Sequence, residues 1–150
     1  MISQSISTWN DIRFIFENKE YKNEFTSTSV DITAHCFNLL NKGLQRDSYN
    51  KKQQSIWIAE ALKDMLDQPH DEFMLLLDTD TSNRHKGLEM KTIFLTLPVE
   101  IDKQLESKVG YINETEVGLT GVKRRVIYTA IYRRYWKMNA FGKEFPLDDA

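Results

Sequence analysis

In Lys91-Thr92-Ile93-Phe94-Leu95-Thr96-Leu97-Pro98 the side chains alternate, with Ile93, Leu95 and Leu97 on one face of a strand and Thr92, Phe94 and Thr96 on the other. The apolar face can rest on a core while the other meets a polar partner. A threonine hydroxyl donates and accepts hydrogen bonds, and its methyl can touch a thymine methyl, so Thr92 and Thr96 suit base edges in a DNA major groove. Phe94 offers only apolar contact. Upstream, Phe25-Thr26-Ser27-Thr28-Ser29-Val30-Asp31-Ile32 is also β-branched and alternating. Thr26, Thr28, Val30 and Ile32 make its better inward face, which leaves Phe25, Ser27 and Ser29 as the outward, base-facing set.

Phosphate chemistry has candidates at two helix starts, where free N–H groups and the helix dipole favour an anion. One group is Thr120, Gly121, Lys123 and Arg124, and the other is Asn50, Lys51 and Lys52. The formal charge of −2 conceals a segregation: residues 91–137 hold nine Lys/Arg against five Asp/Glu, whereas residues 67–90 hold two against six. A phosphate-binding surface needs clustered positive charge rather than a positive total. Lys123-Arg124-Arg125 and Arg133-Arg134 read either as phosphate contacts or as solvated helix faces, the usual fate of such runs.

The elements that must position these residues follow from periodicity. Residues 1–20 form an N-terminal arm or helix, which Thr8 can cap with Asp11 three residues on. In residues 21–68 the first strand leads into a helix marked by Cys36, Leu40 and Leu44, then into a second carrying Ile56, Ala59, Leu62 and Leu66. Residues 69–90 are a connector, with one short packed element over Phe73–Leu77 and a polar loop after it. In residues 91–138 the second strand reaches Pro98, suited to a helix start. Ile101, Leu105 and Val109 then repeat the fourfold spacing, Gly110–Gly118 is a loop, and Val122, Val126, Ile127, Ala130 and Ile131 line a last helix flanked by Tyr128, Tyr132, Tyr135 and Trp136. Residues 139–150 are an acidic tail. The tyrosines read as core or dimer contacts rather than a base-stacking platform.

Other chemistries are poorly served. Cys36 is the single cysteine, so no intramolecular disulfide forms, and on the apolar stripe it reads as a small core residue. His35 beside it points about 100° away on a helix. Asp78, Asp80, Ser82 and Glu89 match several calcium-loop positions, but Asn83 stands where that loop needs glycine, and Arg84 and Lys86 bring positive charge. There is no glycine-rich phosphate loop, zinc spacing or serine-nucleophile motif. The expectation is a protein that is not an enzyme, with no metal and no cofactor. Without an apolar run of about 18–20 residues or a secretory start in Met1-Ile2-Ser3-Gln4-Ser5, it is also expected to be cytoplasmic and to avoid membranes.

Strand, helix, loop and helix, given twice, resemble the ribbon-helix-helix DNA-binding family of Arc- and MetJ-type repressors, best over residues 91–137. The tandem order is similar to the single-chain members of conjugation and T-DNA transfer systems, TraY-like and overdrive-binding virulence protein-like. The comparison includes the apolar and Ala-Leu segment Lys52-Gln53-Gln54-Ser55-Ile56-Trp57-Ile58-Ala59-Glu60-Ala61-Leu62. The resemblance implies an α+β, mostly α, tandem ribbon-helix-helix pseudodimer with a two-stranded antiparallel ribbon. It implies double-stranded DNA as partner, a relaxase or other transfer-complex protein beside it, and a monomeric pseudodimer or a higher assembly on DNA. The role would be relaxosome accessory or transcriptional repressor. The family's base-reading positions carry over to Thr92, Phe94 and Thr96, and this chain departs in having no Arg, Lys, Asn or Gln there. The rival expectation is a protein-interaction module that dimerises through a helical surface around residues 128–136, with no DNA role.

Overall fold

The computed structural model describes residues 6, 8–18, 24–78, 89–116, 118–119 and 121–136. The fold is α+β and mostly helical, and its sheet is two-stranded and antiparallel. In chain order the elements of the described residues are α1 (Trp9–Glu17), β1 (Phe25–Thr33), α2 (Ala34–Arg46), α3 (Gln54–Leu66), α4 (His70–Asp78), β2 (Met90–Pro98), α5 (Val99–Thr115) and α6 (Val122–Trp136), with a 3-10 turn, Lys51–Gln53, leading into α3.

β1 and β2 are both nine residues long and pair from Phe25 opposite Pro98 to Thr33 opposite Met90. Each strand passes directly into a helix. Thr33 caps α2, its hydroxyl accepting from the Cys36 amide at 3.1 Å. Pro98 ends β2 and stands at the N-cap of α5, one residue earlier than the helical position its missing N–H suggests. The ribbon closes alike at both ends, the Ala34 amide donating to the Glu89 carbonyl (3.0 Å) and the Val99 amide to the Glu24 carbonyl (2.8 Å).

Alternation sends Val30 and Ile32 of β1 and Ile93, Leu95 and Leu97 of β2 into one core, which continues through α2, α3, α5 and α6. In α2 and α5 the third, seventh and eleventh residues are buried: Cys36, Leu40 and Leu44 in one, Ile101, Leu105 and Val109 in the other. The core crosses between the halves. Ser55 of α3 accepts the Thr96 amide of β2 (2.9 Å), and the Tyr128 hydroxyl of α6 accepts the Thr33 amide at the end of β1 (2.9 Å). Ribbon edges otherwise open to further strands are thus tied crosswise.

The C-terminal part of α5 also differs from the sequence expectation. Gly110 does not open a loop, because α5 continues to Thr115 with Ile112 fully buried. That added apolar contact outweighs the roughly 1 kcal/mol a helical glycine costs. The short packed element expected over Phe73–Leu77 is a helix, α4, with Phe73, Leu76 and Leu77 packed on the core. At the N-terminus Thr8 and Asp11 form a reciprocal capping box on α1, which buries Ile12 and Ile15. The polar loop expected over 79–88, with Asp80 and Ser82 of the calcium-like set, and the tail expected from 139 lie outside the described residues, as does Thr120. No described helix is long and apolar enough to cross a membrane.

Gly43 and Gly110 lie inside helices in opposite environments. A Cβ on Gly43 would stand 2.5 Å from Cζ2 of the fully buried Trp57, whereas one on Gly110 meets nothing within 4 Å. Gly43→Ala is expected to destabilise by about 1–3 kcal/mol through overpacking, and Gly110→Ala to stabilise by about 0.5–1 kcal/mol. Urea unfolding followed by tryptophan fluorescence measures both.

Candidate nucleic-acid interface

The face of the ribbon turned away from the helices carries three cross-strand pairs, Ser27 with Thr96, Ser29 with Phe94 and Asp31 with Thr92. Ser27, Ser29, Asp31, Thr92 and Phe94 are exposed and Thr96 is half-buried. Phe94, near the middle, is 77% exposed, the highest value among the large apolar side chains described as exposed. Phe25 is set apart: it is half-buried, with its ring 4.9 Å from that of Phe16 on α1. Asp31 shares the face, beyond the outward positions Phe25, Ser27 and Ser29 expected for this strand. Its Oδ1 accepts from the Thr92 hydroxyl at 2.5 Å. The alternation that placed Ser27 and Ser29 outward also places Asp31 there.

The two candidate helix starts have different surroundings. Ser55 sets the beginning of α3 against the end of β2. Just before it, Gln53 accepts the Asn50 amide (2.9 Å), Lys51 reaches Asn41 (2.9 Å) and sits over the Phe37 ring, and Lys52 is exposed. Before α6, Gly121 adopts φ +61, a left-handed backbone suited to glycine. Arg124 is exposed nearby, while Lys123 is half-buried and paired with Glu106 at 2.6 Å.

The remaining arginines correct the sequence reading. Arg125, Arg133 and Arg134 are buried, neither solvated nor facing outward. Arg134 Nη1 donates to the Trp57 carbonyl (2.8 Å) and to Oε1 of Glu60 (2.9 Å), whose side chain is fully buried. Its guanidinium lies over Trp9 and Trp57 at 4.3 and 4.6 Å. Glu60 also accepts from the Tyr49 hydroxyl (2.5 Å) and from Arg13 of α1 (2.8 Å), and Arg13 bonds Tyr49 as well. Arg133 pairs with Asp64 (3.0 Å), and Arg125 reaches the Leu77 carbonyl (3.4 Å). Aromatic rings of α1 and α3 and carboxylates of α3 thus provide the low-energy place for Arg133 and Arg134, which helical spacing alone leaves to solvent. The signal available in the sequence was Glu60, an acid within the otherwise apolar Ile56–Leu62 run.

Burial pushes the Asp64 carboxyl up and the Arg133 guanidinium down, each opposed by its partner's charge. Arg13 is raised because the charge and hydrogen bond of Glu60 outweigh burial. Asp47 behaves oppositely to Asp64. Burial would raise it, but hydrogen bonds from Arg46 (2.9 Å) and Trp57 Nε1 (2.8 Å), with Arg134 nearby, hold it below its ordinary value.

A separate concavity of about 680 Å³ lies between the end of α3, the start of α4 and α5. Lys103, Lys108, His70 and Asp67 line it with mixed charge, and Lys108 Nζ stands 3.3 Å from His70 Nδ1. No group of three or more His, Cys, Asp or Glu positioned for a metal occurs among the described residues. No family model matches the chain, and neither the curated proteins nor the solved structures give a match.

Glu60→Ala leaves Arg134 buried without its carboxylate and is expected to cost roughly 3–5 kcal/mol in urea unfolding. Asp47 has a depressed folded pKa, so its stabilisation is present above the unfolded value near 3.8 and is lost as pH falls through the folded one. Asp47→Ala should therefore lower stability at pH 7 by about 1.5–3 kcal/mol. The deficit should shrink on acidification towards pH 3, as measured by unfolding free energies across that range.

Proposed function

We propose that this chain is a single-chain ribbon-helix-helix pseudodimer that binds double-stranded DNA. It lays the β1–β2 ribbon in the major groove and acts, without cofactor, as a DNA-transfer (relaxosome) accessory factor or a transcriptional repressor. The observation that carries this reading is the ribbon itself. Two equal antiparallel strands each lead into a helix pair, with hydroxyl groups and one exposed phenylalanine on the face turned away from the core. The crosswise ties of Ser55 and Tyr128 support it, since they join the two halves as an interlocked dimer is joined. The groove is about 12 Å wide and admits a two-stranded ribbon.

Phosphate anchoring falls to Asn50, Lys51 and Lys52 on one side and to Gly121, Lys123 and Arg124 on the other, a smaller positive surface than the sequence charge suggests. Affinity then rests more on shape and groove contact than on a broad electrostatic footprint. In the transfer role the protein partner would be a relaxase or another transfer-complex protein.

Fluorescence anisotropy with labelled duplexes, drawn from random sequence and from the neighbouring genetic locus, tests the reading. Binding should weaken between about 50 and 200 mM salt and favour one fragment. Thr92→Ala with Thr96→Ala should cut that preference by about tenfold and leave the unfolding midpoint nearly unchanged. No binding to any duplex at low salt would contradict the reading and favour a helical protein-interaction module.

A further inference from the structure

The ribbon's outer face has unlike halves. Ser29 and Phe94 face each other at its centre, a hydroxymethyl against a benzyl group. On one side lies Asp31 opposite Thr92, and on the other Thr96 opposite Ser27. A ribbon made from two identical strands would present the same pair on each side and match a palindrome. This one presents a carboxylate and a hydroxyl on one side and two hydroxyls on the other.

The carboxylate is the sharper reader. An ionised aspartate only accepts, so it seeks an amino group in the groove and is repelled by bare acceptors. Cytosine N4 is the donor that Asp and Glu recognise there. Thr92 donates to Oδ1 at 2.5 Å, which uses one of roughly four acceptor positions and orients the exposed carboxylate. The hydroxyl pair at the other end can donate or accept, so it tolerates either kind of base edge.

We infer that the ribbon reads a non-palindromic duplex site, with Asp31 selecting cytosine at one end and the Thr96–Ser27 end imposing little base choice. Unequal ends give the bound protein a direction along the DNA. This rests on the ribbon being the DNA reader.

The test is selection of bound duplexes from a randomised pool by the full chain, repeated with Asp31→Asn and Asp31→Ala. Wild type should enrich an asymmetric site with cytosine at one position. Asp31→Asn should move that preference to adenine, whose N6 and N7 suit an amide, and Asp31→Ala should lose about tenfold discrimination there. Neither exposed substitution should shift the unfolding midpoint. A palindromic site, or unchanged base preference in Asp31→Asn, overturns the inference and leaves the DNA reading standing. Failure of wild type to retain any duplex overturns both.

Discussion

A two-stranded ribbon is marginal in water by itself, so everything depends on how β1 and β2 are held from behind. Each strand turns only one face to the core, and burying Val30, Ile32, Ile93, Leu95 and Leu97 stabilises the pairing through the hydrophobic effect. A slip of one residue would send those side chains to solvent and the hydroxyls inward, so the register is strongly specified. The helices that follow each strand supply the rest of the core, and α3 and α6 bond across to the other half's strand. The outer face is left free because the inner face is fully occupied.

Behind the ribbon, α1, α3 and α6 meet around Glu60 and Arg134. A buried ion pair is weak evidence for net stability, since desolvation offsets much of the attraction. Its geometry is nevertheless demanding: Glu60 accepts from three side chains, and Arg134 lies over indole rings of α1 and α3. An apolar contact tolerates rotation of α6, whereas this set fixes its angle and depth. It also removes positive charge from the surface, which makes the exterior less basic than the Lys/Arg count of residues 91–137 suggests.

Strand alternation and fourfold helix spacing are local patterns, and they made both strands, the helix after each and the inward faces legible. The outward positions of Ser27, Ser29, Thr92, Phe94 and Thr96 followed from the same alternation. The extension of α5 beyond Gly110 was not legible, because a glycine is the commonest local sign of a helix end and only the burial of Ile112 overrides it here. The burial of Arg125, Arg133 and Arg134 depends on partners that lie far away in sequence, among them Asp64 and Glu60, and no local period reveals such contacts. Asp31 obeys the same alternation, two residues beyond Ser29.

On this account one strand of each half is joined into a surface that meets duplex DNA, and the helices exist to set that surface. The most direct measurement is amide NMR of the labelled chain titrated with its selected duplex. The account predicts that the largest shifts fall on Ser27, Ser29, Asp31, Thr92, Phe94 and Thr96, with a second group at the starts of α3 and α6. Binding that leaves the ribbon amides unmoved and perturbs only α4 and α5 would contradict it.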